Sequence, residues 1–374
     1  MMNTLGKTHC VLALMSLSIL YTPNLFSADY LQGVILAAGD IATCDNARPG
    51  RGAKKTAGLL LELIKKNPKA NVIVLGDLVY KQGTRKNFES CYKPTWGKEK
   101  IKRVSYPVPG NHEYYPYVDP RDERNTKDYD IEPYKNYWKE RFESFPTGSG
   151  KPEEGYYKID YLDEDNKADW RIIGINSEVI VDDADSLGVY PNRQLLKEPD
   201  TPARAKKIEA LKEKLKGVEQ EYKVLASKQK SWLENEAFKD SKKCKLVFAH
   251  HPKYSSGEHG NRIQETAPLK ELYESLYDNG VSVVLSGHDH HYEQFHPMDA
   301  DDSRDFSRGM RSFVIGTGGT AFRPFEKIHK NSEIRNNVDL AVLRIELFTG
   351  YYTWQLIPVD GKPMNKYKEQ CVPR

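Results

Sequence analysis

The sequence lacks several features that would assign it immediately to one class of protein. Its net charge is only +3, from 56 Lys and Arg against 53 Asp and Glu, so composition predicts neither a nucleic-acid-specific surface nor an acidic membrane as partner. It has no internal repeat and no low-complexity linker, which excludes a repeat array. Beyond the N-terminus, no apolar run is long enough to span a membrane. The 39% hydrophobic and 29% charged residues are typical of a soluble globular protein with one or two domains.

The N-terminus carries the one notable apolar run. Lys7 and His9 precede residues 10–21, which are too short to cross a bilayer and typical of a signal-peptide core. Ser27 and Ala28 offer small residues for cleavage, although Phe26 fits poorly before them. We interpret residues 1–28 as a signal peptide and 29–374 as a single domain, exported to the periplasm or secreted, with no membrane span left. An uncleaved anchor is the alternative.

Cysteines are few, and four of the five remain after cleavage. An even number in an exported protein favours disulfides. Four cysteines allow three pairings, so the sequence leaves the connectivity open. Free thiols in a reducing compartment are the alternative. The pairing that we predict joins Cys44 to Cys91, and Cys244 to Cys371 at the chain end.

Apolar runs alternate with helical patterns along the chain. Most runs are continuous, which predicts strands covered on both faces, and helical segments at 54–67 and 267–279 separate several of them. This order favours a layered α/β domain. Residues 341–347 and 351–359 alternate around Thr349-Gly350, which predicts a hairpin in a second sheet. The continuous runs are 33–38, 71–75, 104–108, 170–175, 245–248, 281–285 and 312–315.

Residues 202–240 predict a long charged helix with one apolar seam. We expect it to pack on the flank of the domain. A dimerising coiled coil is the alternative, but the seam is shorter than three heptads, and the oligomeric state stays open. The seam consists of Ile208, Leu211, Leu215, Val218, Tyr222 and Leu225.

Five of the predicted strands end in loops that carry metal-ligand side chains. Loops at the ends of buried strands hold such groups rigidly. A single Gly-Asp is weak evidence because Asp there is more often a turn residue. Gly-Asn-His-Glu is more specific, and Gly-His-Asp-His lets two imidazoles reach one cluster from an extended strand end. Together the five loops predict a two-metal hydrolytic site. They are Gly39-Asp40, Gly76-Asp77-Leu78-Val79-Tyr80, Gly110-Asn111-His112-Glu113, Ala249-His250-His251-Pro252 and Gly287-His288-Asp289-His290.

These five motifs resemble the calcineurin-type metallophosphoesterase superfamily, and within it the purple acid phosphatases. The resemblance runs from about residue 33 to residue 320. It implies an α/β fold with a four-layer α/β/β/α sandwich of two mixed sheets flanked by helices. Because the first ligand strand follows the predicted cleavage site closely, we expect the small form without an added β-sandwich. The glycines at 316–320 resemble a family loop and predict close backbone packing.

Two positions select the purple acid phosphatase branch. The wider superfamily has a His ligand where this chain has Ala42. Tyr80 instead matches the branch pattern Gly-Asp-x-x-Tyr, in which a tyrosinate binds iron(III), a hard donor suited to a trivalent ion. The resemblance therefore implies Fe(III) at one site and a divalent ion (Fe, Zn or Mn) at the other.

The resemblance also implies a role for each motif residue. His250 is favoured over His251 as ligand because the family ligand stands two residues before a Pro, here Pro252. His112 resembles the non-ligand His that contacts the phosphate and protonates the leaving group, and His259 resembles a further substrate-facing His. The first metal would be held by Asp40, Asp77, Tyr80 and His290, and the second by Asp77, Asn111, His250 and His288.

The expected activity is hydrolysis of small phosphate monoesters by a metal-bound hydroxide, of the acid phosphatase type. One alternative is a phosphodiesterase acting on nucleotides or phospholipid head groups. Another is a non-catalytic phosphate- or metal-binding export protein. Segments 114–138 and 182–202 are candidates for the substrate rim, with an ordinary ordered insertion as the alternative for 114–138. Neither segment has a pattern that identifies the substrate.

Overall fold

The computed structural model describes residues 30–44, 50–114, 131–162, 168–181, 201–239 and 243–372. The predicted signal peptide and its cleavage point lie outside these ranges, as do residues 115–130 and 182–200 of the predicted rim segments. Within the described ranges, no helix combines the length and hydropathy needed to cross a bilayer.

Sixteen strands are assigned among the described residues. The first eight are β1 Leu31–Ala38, β2 Ala42–Thr43, β3 Ala70–Leu75, β4 Val79–Tyr80, β5 Ser105–Val108, β6 Gly150–Lys151, β7 Tyr156–Leu162 and β8 Ala168–Gly174. The others are β9 Cys244–Phe248, β10 Val281–Ser286, β11 Tyr292–Phe295, β12 Arg311–Ile315, β13 Ser332–Asn336, β14 Ala341–Phe348, β15 Tyr351–Pro358 and β16 Tyr367–Gln370.

The strands form two large sheets and one small pair. The six-stranded sheet has the order β16-β15-β14-β1-β3-β5, and the eight-stranded sheet has the order β13-β11-β12-β10-β9-β8-β7-β6. β1, β3 and β5 are parallel neighbours, as are β8, β9, β10 and β12, whereas the outer strands are antiparallel. The prediction of two mixed sheets is confirmed. β2 and β4 make a short parallel pair of their own.

Helices flank the sheets. They are α1 Arg51–Lys66, α2 Arg85–Asn87, α3 Glu99–Lys102, α4 Asn111–Tyr114, α5 Glu132–Glu143, α6 Glu178–Val181, α7 Pro202–Trp232, α8 Ile263–Thr266 and α9 Lys270–Asp278. α1 buries Ala53, Ala57 and Leu60 in the core shared with the six-stranded sheet, and α9 buries Tyr273 and Leu276 with residues of the eight-stranded sheet. Short π-helical turns span Phe88–Tyr92 and Leu233–Ala237, and 3₁₀ turns span Pro152–Glu154 and His259–Asn261.

The two sheets pack face to face over one apolar core. At Gly33 of β1, an added Cβ would lie 2.4 Å from the ring of Tyr161 in β7. The aromatic ring therefore fills the space that a side chain on the facing strand would need. With helices outside both sheets, the predicted four-layer sandwich is confirmed.

The long helix agrees with its predicted position where it is described. α7 begins after Thr201, whose side chain caps the Arg204 N–H, and its helical path continues as the π turn that ends at Ala237. Tyr222 is buried, with its ring 5.5 Å from that of Tyr114. This half of the helix packs on the domain flank. Four of the six seam side chains, Ile208, Leu211, Leu215 and Val218, lie outside the described set.

The end of the segment predicted as a rim belongs to the core instead. Tyr134 and Trp138 of α5 have no exposed surface, and Trp138 packs edge-on against Tyr92. The helical spacing of these large rings explains the difference, because it directs them inward on one face of α5.

Both predicted disulfides are present. Cys44 pairs with Cys91, with Cα atoms 5.7 Å apart, and Cys244 pairs with Cys371 at 5.6 Å. The first bridge lies beside the β2–β4 pair. The second joins the start of β9 to the segment after β16, and so connects the eight-stranded sheet to the six-stranded sheet.

Candidate metal centre

All seven predicted metal ligands come together at one edge of the sandwich. Parallel strands bring their carboxyl ends to the same edge of a sheet. Here β1, β3 and β5 deliver loops from one sheet, and β9 and β10 deliver loops from the other. The ligand residues follow these strands by two to five positions, and Tyr80 ends β4.

Three of these residues have a left-handed backbone that non-glycine residues seldom adopt. The φ angles are 61° at Asp40, 50° at Asp77 and 71° at His288. Such conformations persist only where the surroundings impose them, and they cluster at functional sites. Each of the three turns its side chain back toward the centre of the loop cluster.

A first group of donor atoms surrounds the Tyr80 hydroxyl. This oxygen lies 2.6 Å from Asp40 Oδ1, 2.7 Å from Asp77 Oδ2 and 3.2 Å from His290 Nε2. His290 Nε2 is also 3.4 Å from Asp40 Oδ1. The four side chains are the set predicted for the first metal.

A second group surrounds His250 Nε2. It lies 3.0 Å from Asn111 Oδ1, 3.1 Å from His288 Nδ1 and 3.4 Å from Asp77 Oδ1. Asp77 therefore presents Oδ2 to the first group and Oδ1 to the second. A carboxylate placed in this way can bridge two ions.

Each imidazole is oriented by a partner of the ring nitrogen that faces away from the cluster. His250 Nδ1 donates to the Leu75 carbonyl at 2.7 Å, and His290 Nδ1 donates to the Ala321 carbonyl at 2.8 Å. His288 is reversed: its Nδ1 faces the cluster, and its Nε2 lies 3.1 Å from Glu265 Oε2. Metal-binding histidines commonly donate their far nitrogen to such an acceptor, which fixes the tautomer and the ring orientation.

The β2–β4 pair places Tyr80 beside Ala42. Thr43 is the partner of Tyr80 in this pair, and Ala42 is the partner of Val79. Ala42 is fully buried and offers no donor atom. The phenol thus reaches the first group from the strand beside the position where the wider superfamily has His.

Two glycines are required for the loops to approach each other. An added Cβ at Gly110 would lie 2.3 Å from Asp77 Oδ1, and one at Gly76 would lie 2.6 Å from His250 Nδ1. Gly76 also has a φ of 79°. A side chain at either position would displace a predicted ligand.

The electrostatics of the donor groups favour cations. Burial, together with the charge of Asp77, raises the pKa of Asp40 to about 7. Burial also raises the pKa of Tyr80 far above its usual value, with Asp40 and Asp77 adding to the effect. For His250, burial alone would lower the pKa, but the charge of Asp77 outweighs it and raises the pKa to about 10. Buried acids of this kind need a positive partner to stay charged, and the oxygen and imidazole donors suit hard or borderline metal ions. The residues present therefore fit a two-metal centre.

His112 lies beside the centre without belonging to either group. Its ring packs 4.3 Å from that of Tyr80, and its Nδ1 donates to the Lys81 carbonyl at 2.5 Å. Its Nε2 is 3.8 Å from Asp77 Oδ2. This nitrogen is directed toward the cluster from one side, as a group that contacts a substrate would be.

His259 lies on the side of the second group. Its ring centroid is 3.7 Å from that of His288. Its Nδ1 is 2.8 Å from Glu265 Oε2, and its Nε2 is 3.0 Å from Arg323 Nη1. Donor atoms of His259, Glu265 and His288 lie within 4.8 Å of one another, so Glu265 connects the two histidines.

His251 has other partners at the site. Its Nδ1 is 3.0 Å from Ser177 Oγ, and its Nε2 is 3.5 Å from Glu178. Burial and the charge of His250 lower the pKa of His251 to about 3. Its donor atoms still lie near those of His250 and His288, which agrees with its prediction as a neighbour of the centre.

The sequence analysis assigned no role to three charged residues that lie at the site. Glu113 accepts backbone N–H groups from Asp77 and Leu78 at 2.9 Å and from Gly110 at 2.8 Å, and so ties two ligand loops together. Its place in Gly-Asn-His-Glu was the available signal. Glu265 and Arg323 stand in segments without a recognisable motif, and only the fold brings them to the site.

Comparison with known proteins decides the family. The calcineurin-like phosphoesterase family model matches residues 33–292, well over half of the chain. The chain belongs to the calcineurin-like phosphoesterase family. This family typically has a binuclear metal centre, and the donor groups described above could hold one. No curated protein sequence matches the chain significantly.

Two solved structures resemble the calcineurin-like phosphoesterase chain over most of its length. Purple acid phosphatase PPD1 from yellow lupin (Lupinus luteus) seeds has a TM-score of 0.56 at 14% identity, covering 91% of this chain and 55% of the lupin chain. GAP50, the anchor in the inner membrane complex of Plasmodium, has a TM-score of 0.53 at 15% identity, covering 92% and 90%. The chain thus spans about half the length of the lupin enzyme. The likeness is one of fold, and the prediction of a purple acid phosphatase-like metallophosphoesterase is confirmed at that level.

Proposed function

We propose that the protein is an exported phosphatase that hydrolyses phosphate monoesters at a binuclear metal centre. The observation that carries the proposal is the division of Asp77 between two complete donor groups, with Oδ2 facing Tyr80 and Oδ1 facing His250. The two cations would clamp the phosphate and lower the pKa of a water molecule. Asp40, Asp77, Tyr80 and His290 would hold one ion, and Asp77, Asn111, His250 and His288 the other.

The surrounding residues have separate tasks. His112, at one side of the cluster, would contact the phosphoryl group and protonate the leaving oxygen through Nε2. Its Nδ1–H bond to the Lys81 carbonyl fixes the ring in position for that transfer. His259 would line the opposite side, held by Glu265. The disulfides between Cys44 and Cys91 and between Cys244 and Cys371 support export, because such bridges persist in oxidising compartments.

Metal analysis combined with a substrate panel tests this function. The purified protein should contain two metal ions per chain and hydrolyse p-nitrophenyl phosphate faster than bis-p-nitrophenyl phosphate, with a chelator abolishing both activities. Faster cleavage of the diester would replace the proposal with the phosphodiesterase alternative. Full metal loading with no hydrolysis of any ester would favour a non-catalytic metal- or phosphate-binding protein.

The metal identity is proposed from Tyr80. A phenolate ligand favours Fe(III) in the first group, with divalent Fe, Zn or Mn in the second. We expect the metallated protein to be coloured by charge transfer from Tyr80 to iron, and the Tyr80→Phe variant to lose that band. A fully metallated, active and colourless wild type would contradict the proposed iron site.

A further inference from the structure

Arg323 is a cation at the candidate site that no sequence motif identified. Its backbone N–H donates to the His290 carbonyl at 3.3 Å, and Asn337 Nδ2 donates to the Arg323 carbonyl at 3.1 Å. Two residues earlier, the Ala321 carbonyl accepts the bond from His290 Nδ1. The backbone that orients a predicted metal ligand therefore also fixes the position of Arg323.

The guanidinium lies next to His259 and is the more exposed of the two side chains. Nη1 is 2.9 Å from Glu258 Oε2 and 3.0 Å from His259 Nε2. The Arg323 side chain is 35% exposed, whereas that of His259 is 9% exposed. Arg323 is therefore the more accessible of the two to a ligand that arrives from solvent.

The pattern of hydrogen bonds leaves part of the guanidinium available. Among the described residues, its hydrogen bonds use Nη1 alone. A guanidinium presents five N–H groups in a planar fork, and the edge formed by two of its nitrogens matches the spacing of phosphate oxygens. It also stays charged throughout the pH range in which a histidine titrates.

We propose that Arg323 contacts the phosphoryl oxygens of the substrate and gives the site its preference for a dianionic phosphate monoester over a monoanionic diester. This inference rests on the proposed phosphatase function. A diester has one anionic charge less, and its second substituent would occupy the oxygen that the guanidinium contacts. His259 Nε2 accepts from Arg323 in this arrangement, whereas Arg262 on the same side donates through both Nη1 and Nη2 to Glu265 and Glu258.

Steady-state kinetics of Arg323→Ala test the proposal. The variant should keep its metal content and raise the KM for p-nitrophenyl phosphate and the inhibition constant of inorganic phosphate together, each by about 10- to 100-fold, as expected for a lost charged hydrogen bond. The KM for bis-p-nitrophenyl phosphate should change by less than about threefold, because the diester makes less use of this contact. Arg323→Lys keeps the charge without the fork and should recover only part of the loss.

Matched variants separate this role from a general charge effect. Lys327→Ala removes one positive charge from the same segment at an exposed position and should leave all three constants unchanged. If Arg323→Ala matches Lys327→Ala, the inference is wrong while the phosphatase function stands. If inorganic phosphate inhibits Arg323→Ala as strongly as wild type, the arginine contacts the leaving group and the proposed phosphoryl contact is wrong. A wild type without esterase activity would instead remove the proposed function itself.

Discussion

Asp77 is the one residue assigned to both proposed metal positions. Its two oxygens face different donor groups, and Oδ1 also accepts the His112 backbone N–H at 3.0 Å. Burial raises the pKa of this carboxyl, but the charges of His250 and His112 outweigh burial and hold the pKa well below the usual value. The positive neighbours of Asp77 therefore favour its ionised form.

Asp77→Asn should lose metal and activity together. An amide keeps the size of the side chain but cannot supply negative charge to two cations. We expect less than one tightly bound metal ion per chain and turnover at background level, checked by elemental analysis and p-nitrophenyl phosphate hydrolysis. Retention of two ions with near-normal turnover would show that Asp77 does not bridge them.

His112→Ala should separate catalysis from metal binding. Because Nε2 approaches the cluster without joining either donor group, the variant should keep its metal content and colour. Turnover of alkyl phosphates should fall by roughly 10²- to 10⁴-fold, the usual contribution of a positioned acid or base. The loss should be smaller for p-nitrophenyl phosphate, whose leaving group needs no proton. Loss of metal would make His112 a ligand, and unchanged turnover of alkyl phosphates would transfer the acid role to His259.

At the residue scale, the sequence identified those site residues that directly follow buried strands, because the end of a strand fixes the position of the loop after it. It could not predict Glu265 or Arg323. Glu265 reaches His288 across 23 residues of chain, and Arg323 reaches His259 across 64. Neither separation has a local periodicity, so only the packed fold brings these partners together.

At the scale of elements, strands with few buried apolar residues were not predicted from the sequence. β13 (SEIRN) and β16 (YKEQ) are edge strands without a fully buried residue, so they carry little of the apolar pattern that indicates a strand. β11 begins two residues after the Gly-His-Asp-His loop, which leaves no separate apolar run to indicate it. The continuous apolar runs, by contrast, were predicted within a few residues of their observed bounds.

The β7–β8 pair carries an ion pair between the buried Arg171 and the partly exposed Asp160. Asp160 of β7 accepts from Arg171 Nε at 2.7 Å and from its Nη2 at 2.8 Å, and Lys243 Nζ is 2.9 Å from Asp160 Oδ2. Arg171 also donates to the Ala237 carbonyl at 3.0 Å. Burial raises the pKa of Asp160, but the bonds from Arg171 and Lys243 outweigh it, so the folded-state pKa lies below the usual value.

Asp160→Asn should therefore destabilise the protein in a pH-dependent way. A depressed carboxyl pKa contributes stability that is complete above the unfolded-state pKa of about 3.9 and is lost as the pH falls through the folded-state pKa. Urea denaturation should show a loss of about 1 kcal/mol between pH 5 and 7, shrinking below pH 4. Asp360→Asn, which removes an exposed partner of Lys55, is the control and should change stability little. A constant difference down to pH 3 would contradict the charge-based explanation.

On the scale of the whole molecule, the two disulfides have different positions relative to the site. Cys44 follows Thr43, the strand partner of Tyr80, so its bridge to Cys91 lies close to the candidate centre. Cys244 begins β9, and the ligand loop follows the other end of that strand. The bridge to Cys371 thus joins the two sheets away from the metal groups.

Replacing both Cys244 and Cys371 by Ser should lower stability without lowering activity. The bridge closes a loop with a sequence separation of 127 residues, and removal of a native disulfide typically costs about 2–4 kcal/mol. Thermal unfolding should move to lower temperature while kcat at 25 °C stays within twofold of wild type. The Cys44/Cys91 double Ser variant provides the contrast, since it should also reduce metal content. A selective loss of activity in the first variant would contradict this assignment of positions.

Each proposed ion takes ligands from both sheets, and this has a consequence for the order of events during folding. The first group joins Asp40 to His290, and the second joins Asp77 to His250, so neither donor group exists until the sheets have docked. Because contacts between distant segments form slowly, tight metal uptake should be the last step and should mark chains that have finished folding. In refolding experiments, colour should develop after far-UV circular dichroism has reached its native value. Simultaneous recovery of both signals would mean that the ions bind earlier and help the sheets to dock.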